Sequence, residues 1–125
     1  MPETKTFPTP VVLTIVTGRL LCDIREVYGI LNWMTGEDLM THQLPRVCRE
    51  ATPVILALHP TLSESVDDEA SCTTENFASW RAKWVARYGA TLAVPKLTID
   101  QHERIDPLSE AAEHFHPDNM IRVKT

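Results

Sequence analysis

Apolar residues along the chain fall into runs whose spacing predicts one buried strand and three or four helices. From Val11 to Thr17 the run VVLTIVT is rich in β-branched residues and apolar at both sets of alternating positions. Such a run is typical of a strand inside a sheet. Gly18 follows it, and a glycine there suits the end of a strand or a bulge. The pattern therefore predicts a buried N-terminal strand.

A capped helix is predicted to begin at Asp23. Its carboxylate offers an N-cap acceptor, and Glu26 three residues later completes a capping box. Gly36 supplies the left-handed residue that ends such a helix. Between these signals the apolar residues recur at steps of three and four, which indicates one buried stripe. The stripe consists of Ile24, Val27, Tyr28, Leu31 and Met34.

Two further helices are predicted by the same spacing. One runs from Leu44 to Leu58 and contains Pro53, where a missing backbone donor favours a kink or a break. The other covers residues 74–88 and is ended by Gly89. Its aromatic residues lie along one side, at steps of three and four: Phe77, Trp80, Trp84 and Tyr88.

The segments between these helices are predicted to be irregular. Residues 1–10 contain three prolines, which favour an extended arm. Residues 61–73 are rich in Ser, Thr, Asp and Glu, as expected of an exposed acidic loop. The segment from Leu92 to Leu97 is an edge strand or a loop because Pro95 interrupts it.

The C-terminal part carries signals for one more helix and one more strand. Asp106 followed by proline predicts the start of a short fourth helix that reaches Phe115. Residues 120–123 are apolar enough for a closing strand beside the first.

These elements predict an α+β fold in a single domain spanning residues 1–125. A small antiparallel sheet, made of the N-terminal and C-terminal strands, is covered by three to four helices. An all-α domain is the alternative. The chain length of 125 residues suits one domain that buries its own core.

Composition and charge restrict the function classes. Apolar residues make up 43% and charged residues 23%, which is typical of a globular protein rather than a disordered one. The longest apolar run, VILAL, is too short for a bilayer, so no membrane partner is expected. Residues 2–10 are polar and unlike a signal peptide. The three cysteines are widely spaced, odd in number and include no C-x-x-C pair. These features predict a cytoplasmic protein.

The formal net charge of -5 disfavours non-specific binding to nucleic acid. One alternative remains open, because the helix over residues 74–88 places large aromatic rings among basic side chains, as a stacking surface does. Two indoles four residues apart more often form one side of a core. The candidate nucleic-acid contacts are Trp80, Arg81, Lys83, Trp84 and Arg87.

No pattern in the chain predicts a metal site, a cofactor site or a catalytic residue. The pair His114 and His116 beside Glu113 lies at a predicted helix end, where histidine complements the helix dipole. Cys48 is flanked by arginines but falls on the apolar stripe of its helix, and burial opposes thiolate formation. We therefore expect neither an enzyme nor a bound cofactor or metal ion.

Two sets of charged residues are candidates for contact with another protein. The first set is acidic and belongs to the loop over residues 61–73: Glu64, Asp67, Asp68 and Glu69. The second set is basic and would meet an acidic partner if the fold gathers it at one end: Arg19, Arg25, Arg46 and Arg49.

A resemblance is carried by the run VLTIVTGRLLCDIREVYGILNWMTGEDLMTHQLPRVCRE and, more loosely, by RIDPLSE near the end. Both resemble a family of small bacteriophage and prophage proteins with no established activity. The resemblance implies no catalytic residues. It implies a context, because small acidic phage accessory proteins often bind a host or defence protein, including the nucleases of CRISPR systems.

We therefore expect a phage or mobile-element accessory protein that acts by binding a host protein, in the bacterial cytoplasm. The inhibition of a defence system such as CRISPR would be one form of that action. The alternative is a nucleic-acid-binding accessory protein that uses the aromatic and basic helix over residues 74–88. The partner and the oligomeric state stay open.

Overall fold

A computed structural model describes residues 3–106 and 108–110. Two strands and five α-helices follow one another in these ranges, joined by short 3-10 turns. Their bounds are β1 (Thr4–Pro8), α1 (Thr9–Thr17), α2 (Ile24–Thr35), α3 (Leu44–Leu58), α4 (Ser63–Asp67), α5 (Phe77–Tyr88) and β2 (Thr91–Pro95). The predicted α+β class with a small antiparallel sheet is confirmed.

The run VVLTIVT forms helix α1, so the predicted N-terminal strand is wrong. Residues 11–16 are all buried, and α1 contacts all four other helices as well as both strands. A helix that is apolar on every side belongs at the centre of a domain, and this burial outweighs the modest preference of β-branched residues for strands. The Thr14 hydroxyl donates to the Pro10 carbonyl at 2.8 Å. Gly18 ends the helix with φ 76°.

The sheet is built from the segments on either side of the helices. β1 pairs antiparallel with β2, in a register that joins Thr4 to Pro95 and Pro8 to Thr91. Within the predicted extended arm, residues 4–8 are thus extended and paired in the sheet as a strand. Phe7 anchors β1 because its ring meets the Trp33 ring of α2 edge-on, at 5.9 Å between centroids. For the segment around Pro95 the sequence left an edge strand or a loop open, and the structure shows a strand.

Helices α2 and α3 follow the sequence prediction closely. The Asp23 carboxylate accepts the backbone N–H of Arg25 at 2.9 Å, and Gly36 ends α2 with φ 73°. A kink or a break was predicted at Pro53, and no break occurs, since α3 is one helix from Leu44 to Leu58. The Thr52 hydroxyl donates to the Cys48 carbonyl at 2.7 Å in this turn.

The segment over residues 61–73 is helical where an irregular loop was predicted. It contains the turn Pro60–Leu62, helix α4 and the turn Glu69–Ser71. Leu62, Ser65 and Cys72 are buried, so this segment contributes to the core. Its acidic residues lie on the outer side, at positions between these anchors.

Helix α5 begins at Phe77, three residues later than predicted, and ends at Gly89 as predicted. Trp80 and Trp84 are buried, with 4% and 7% of their surface exposed. Their rings meet edge-on at 6.1 Å between centroids. The core interpretation of these two indoles is confirmed.

After β2 the chain crosses back over α2 and α3 as a strap, which we define as residues 97–106. Leu97 packs against the core at the start of the strap, whereas Ile99 is 95% exposed. Residues 108–110 are helical. The rest of the predicted fourth helix and the closing strand over residues 120–123 lie outside the described residues. In the described ranges, no helix combines the length and the apolar character that a membrane span needs.

Candidate functional site

An open groove of about 330 Å³ lies between the α1–α2 connection and the start of α5. Its lining is mainly apolar, and two of its large apolar side chains are accessible: Leu20 is 57% exposed and Phe77 is 37% exposed. Leu21 and Cys72, which are buried, form its floor. The remaining lining residues are Arg19, Thr73 and Thr74.

The wall of the groove that precedes α5 is held by a dense set of local hydrogen bonds. The Thr73 N–H donates to the Asn76 side-chain oxygen at 2.7 Å, and the Asn76 N–H donates to the Thr73 hydroxyl at 3.2 Å. The Asn76 amide also donates to the Ser71 carbonyl at 2.8 Å. Because these bonds fix the backbone, the groove is preformed rather than dependent on a ligand for its shape.

Two arginines lie at the groove. The Arg19 Nε donates to the Glu69 carboxylate at 2.5 Å. The Arg81 guanidinium lies 5.2 Å from the Phe77 ring centroid and donates to the Leu21 carbonyl at 3.0 Å. Within the described residues Arg81 forms no ion pair. The structure thus brings one member of each predicted charged set, Arg19 and Glu69, together beside accessible apolar side chains.

Of the other predicted acidic residues, Glu64 and Asp68 form ion pairs, whereas Asp67 is exposed to solvent. The Glu64 carboxylate accepts two hydrogen bonds from Arg87, which lower its pKa. Asp68 accepts from Lys83 at 2.9 Å, and this contact lowers the pKa of Asp68. Asp67 is exposed on α4. Two of the four carboxylates therefore already balance cations of α5.

The predicted arginines do not gather in one cluster. Arg25 pairs with Asp23 at the start of α2, with 88% of its side chain exposed. Arg49 is exposed on α3. Arg46 is mostly covered, with 16% of its side chain exposed, and it contacts Glu50 on the same helix and two groups farther along the chain, at Glu103 and Glu110. Only Arg19 lines the groove.

A buried polar cluster holds the strap to α2 and α3. The His102 Nδ1 lies 2.6 Å from a Glu50 carboxylate oxygen, and its Nε2 contacts the Glu37 carboxylate. Each ring nitrogen of His102 is thus in contact with the carboxylate of a different glutamate. Only 4% of the His102 side chain is exposed, so the contact is shielded from solvent.

Arg46 extends this cluster toward the end of the described chain. It donates to Glu50 at 3.0 Å and to the strap carbonyl of Glu103 at 2.7 Å. It also donates twice to Glu110, each time at 2.9 Å. The hydrogen bonds raise the pKa of Arg46 and lower the pKa of Glu110. Gln43 donates to the same carboxylate at 3.2 Å.

Sequence reasoning named Arg46 as a candidate contact but missed the other members of this cluster. Its hydrogen-bonded partners are separated by up to 67 positions, as Gln43 and Glu110 are, and no local motif connects them. The sequence does not indicate that His102 contacts Glu50, because this contact depends on how the strap packs against α3. The cluster is saturated with internal partners, so we interpret it as a structural clasp rather than a binding site.

The basic residues of α5 do not form a stacking surface with the indoles. The Trp80 indole N–H donates to Asp68 at 3.0 Å, and the Lys83 ammonium lies 4.6 Å from the Trp84 ring centroid. Because both indoles are buried in the core, they are not accessible to nucleobases. Lys83 and Arg87 are exposed but paired with acidic residues of the α4 segment.

The cysteines and histidines offer no evident chemistry in the described residues. Burial raises the pKa of the Cys48 thiol, as it does for Cys22, which opposes a nucleophilic role. In the described ranges no group of three acidic, histidine or cysteine side chains is arranged to hold a metal ion. The pair His114 and His116, with Glu113, lies outside those ranges.

Comparisons with known proteins give one similarity. Neither the curated proteins nor the solved structures that were compared include a significant match to this chain. Residues 7–65 match the model of a domain of unknown function, DUF7736. The match runs from the end of β1 into α4 and includes the Arg19 side of the groove, but not the wall formed by residues 72–77. Through slightly less than half of its length, the chain is thus similar to a domain to which no activity is assigned.

Proposed function

We propose that this protein acts by binding another protein through the groove between Leu20 and Phe77. In this proposal it is a phage or mobile-element accessory protein, and its partner is a host protein, such as a component of a defence system. The origin rests on the sequence resemblance alone. The mode of action is supported by the surface of the molecule.

The observation that carries the proposal is an apolar, preformed groove open to solvent. Large apolar side chains that remain accessible beside a fixed backbone are typical of surfaces that another molecule covers. At Leu20 more than half of the surface is accessible, and the neighbouring backbone carbonyl of Leu21 is held by Arg81. A partner that covers this groove gains apolar burial with little loss of conformational entropy.

The alternative of a nucleic-acid-binding surface on α5 is not favoured. Its two indoles are inside the core, and two of its three basic residues are already paired with carboxylates. Binding phosphates there would require breaking those pairs, on a chain whose net charge is -5.

The proposal is tested by quantitative capture from a bacterial lysate with three forms of the protein. The forms are the wild type, Leu20→Ser and the matched control Leu58→Ser. Leu58 is 46% exposed but does not line the groove, so both substitutions remove a similar accessible side chain. Thermal melts establish that the variants are folded.

A captured protein supports the proposal only if its recovery falls with Leu20→Ser and is kept with Leu58→Ser, and if the purified pair then binds directly. Equal recovery with both variants, or capture that depends on neither leucine, contradicts it.

A further inference from the structure

We propose that the groove selects a partner segment in which one large apolar side chain is adjacent to a carboxylate. The inference rests on the proposed function and specifies the chemistry of the partner. The apolar side chain enters the groove between Leu20 and Phe77, and the carboxylate meets Arg19 and Arg81.

The size of the groove limits the occupant to a short segment. Its volume of about 330 Å³ is at the lower end of the range for ligand pockets, roughly 300–1,000 Å³. A single leucine or phenylalanine side chain, together with its neighbours, covers such a groove. Its floor, Leu21 and Cys72, offers no charged group to a polar occupant.

Two arginines lie at the groove and Glu69 balances only one of them, so the local charge is positive although the whole chain is acidic. Arg19 is the one ionisable side chain among the lining residues besides the Cys72 thiol, and Arg81 lies against the Phe77 ring. The protein as a whole has a formal net charge of -5. Since overall charge would favour a basic partner, the two arginines give local selection for an acidic group.

Both guanidiniums keep donors available for such a group. Arg19 uses its Nε for Glu69, and Arg81 uses one terminal nitrogen for the Leu21 carbonyl. A guanidinium has five N–H donors, so an incoming carboxylate can bind without displacing either contact. Arg81 is also positioned by the ring that it covers, which reduces the entropy lost when a ligand binds.

The probes are three short peptides that differ only beside one leucine. They are acetyl-Ala-Glu-Leu-Glu-Ala-amide, its Gln counterpart and its Lys counterpart. Each is titrated into the isotopically labelled full chain, and amide chemical shifts report both the affinity and the location of binding. The acidic peptide should bind about threefold more tightly than the neutral one at low salt, since exposed ion pairs contribute modestly. The shifts should centre on residues 19–21 and 72–77.

Two charge variants test the assignment of the arginines. Arg19→Gln should reduce the preference for the acidic peptide, whereas Arg25→Gln should leave it unchanged, because Arg25 is 88% exposed and does not line the groove. Arg81→Gln should also reduce the preference. If that variant does not fold, Arg19→Gln alone decides the result.

Several outcomes overturn this inference. They are equal affinity for the acidic and neutral peptides, preference for the Lys peptide, shifts centred elsewhere, and absence of binding. Absence of binding includes the case in which another part of this chain or a second copy already occupies the groove. The proposed function fails separately, because it depends on the loss of the captured protein with Leu20→Ser and not on peptide charge.

Discussion

The role of Asp23 as a helix cap was predicted from the sequence, but its full set of hydrogen bonds was not. The predicted helix start is confirmed, since the Asp23 carboxylate accepts the Arg25 N–H. The detail differs, because this carboxylate binds the Arg25 side chain as well. The sequence could identify the cap, but not which of the nearby donors takes its oxygens, because that depends on side-chain conformation.

Replacing Asp23 tests this cap. Asp23→Ala should lower the melting temperature by a few degrees, because first-turn N–H groups lose an acceptor, whereas Asp23→Asn, which retains a capping oxygen, should lower it less. The pKa of Asp23 is lowered from 3.8 to about 2 by the Arg25 side chain. The stabilisation is therefore present above 3.8 and is lost as the pH falls toward 2. Melting curves across this range should show the wild type and Asp23→Ala converging at low pH.

Trp80 and Trp84 form a matched pair with different polar environments. The Trp80 indole N–H donates to Asp68, whereas the buried Trp84 N–H has no hydrogen-bond partner within the described residues. Trp80→Phe should therefore destabilise the fold by about 1–2 kcal/mol more than Trp84→Phe. Urea unfolding of both variants measures this difference. Equal losses would mean that the hydrogen bond to Asp68 adds nothing.

At the scale of elements, the sequence predicted α2, α3 and α5 because their apolar residues repeat at helical spacing. It failed at α1, where the run VVLTIVT carries no such spacing. A short run that is apolar at every position is consistent with either a buried strand or a buried helix. Burial at the centre of the helical layer decides the outcome, and this is a property of the whole fold.

The groove was only partly predictable for a similar reason. Arg19 and Glu69 were both among the predicted contact residues, but they are 50 positions apart and their pairing depends on how the α4 segment folds back. Leu20 and Phe77 carried no signal of accessibility in the sequence, since apolar residues close to them, Leu21 and Trp80, are buried.

The clasp at His102 is expected to hold the strap in place, and this can be tested with a substitution at Glu50. Glu50→Gln keeps the size of the side chain but weakens charge-assisted contacts to His102, Arg46 and the Glu103 N–H. We expect a loss of about 2 kcal/mol in the free energy of unfolding. Hydrogen exchange should increase at the amides of the strap. Glu64→Gln serves as the control, because its ion pair with Arg87 is exposed.

If Glu50→Gln and Glu64→Gln have equal effects on stability, or if exchange in the strap is unchanged, the clasp does not hold the strap in place.

The pH dependence of the clasp has a defined sign. Arg46 lowers the pKa of Glu110 below its ordinary value of 4.5. A carboxyl group whose pKa is lowered by folding stabilises the fold at pH values above its pKa in the unfolded chain. This stabilisation is lost as the pH falls through the pKa of the group in the folded protein. Glu110→Gln should therefore destabilise the protein at neutral pH and progressively less below 4.5. Thermal melts at several pH values measure the change. A constant difference over the whole range would contradict the assignment.

Across the whole molecule, the acidic segment and the groove are two separate surfaces, although the sequence suggested both as contacts for a partner. The acidic segment over residues 61–73 is largely engaged with α5, whereas the groove offers accessible apolar side chains and arginines. The net charge of -5 still affects how quickly any charged partner approaches. We expect the groove to determine how tightly the partner is held.

The proposal that the groove holds the partner is tested most directly by binding kinetics. The partner is the protein whose capture is lost with Leu20→Ser. Rates are measured at two ionic strengths for the wild type, for Leu20→Ser, and for a variant with Glu64, Asp67 and Asp68 changed to their amides. Leu20→Ser should weaken binding roughly tenfold at both ionic strengths, mainly through faster dissociation. The amide variant should change the association rate and leave dissociation nearly unaltered. Unchanged dissociation in Leu20→Ser, together with a large loss of affinity in the amide variant, would place the interface on the acidic segment and contradict the account.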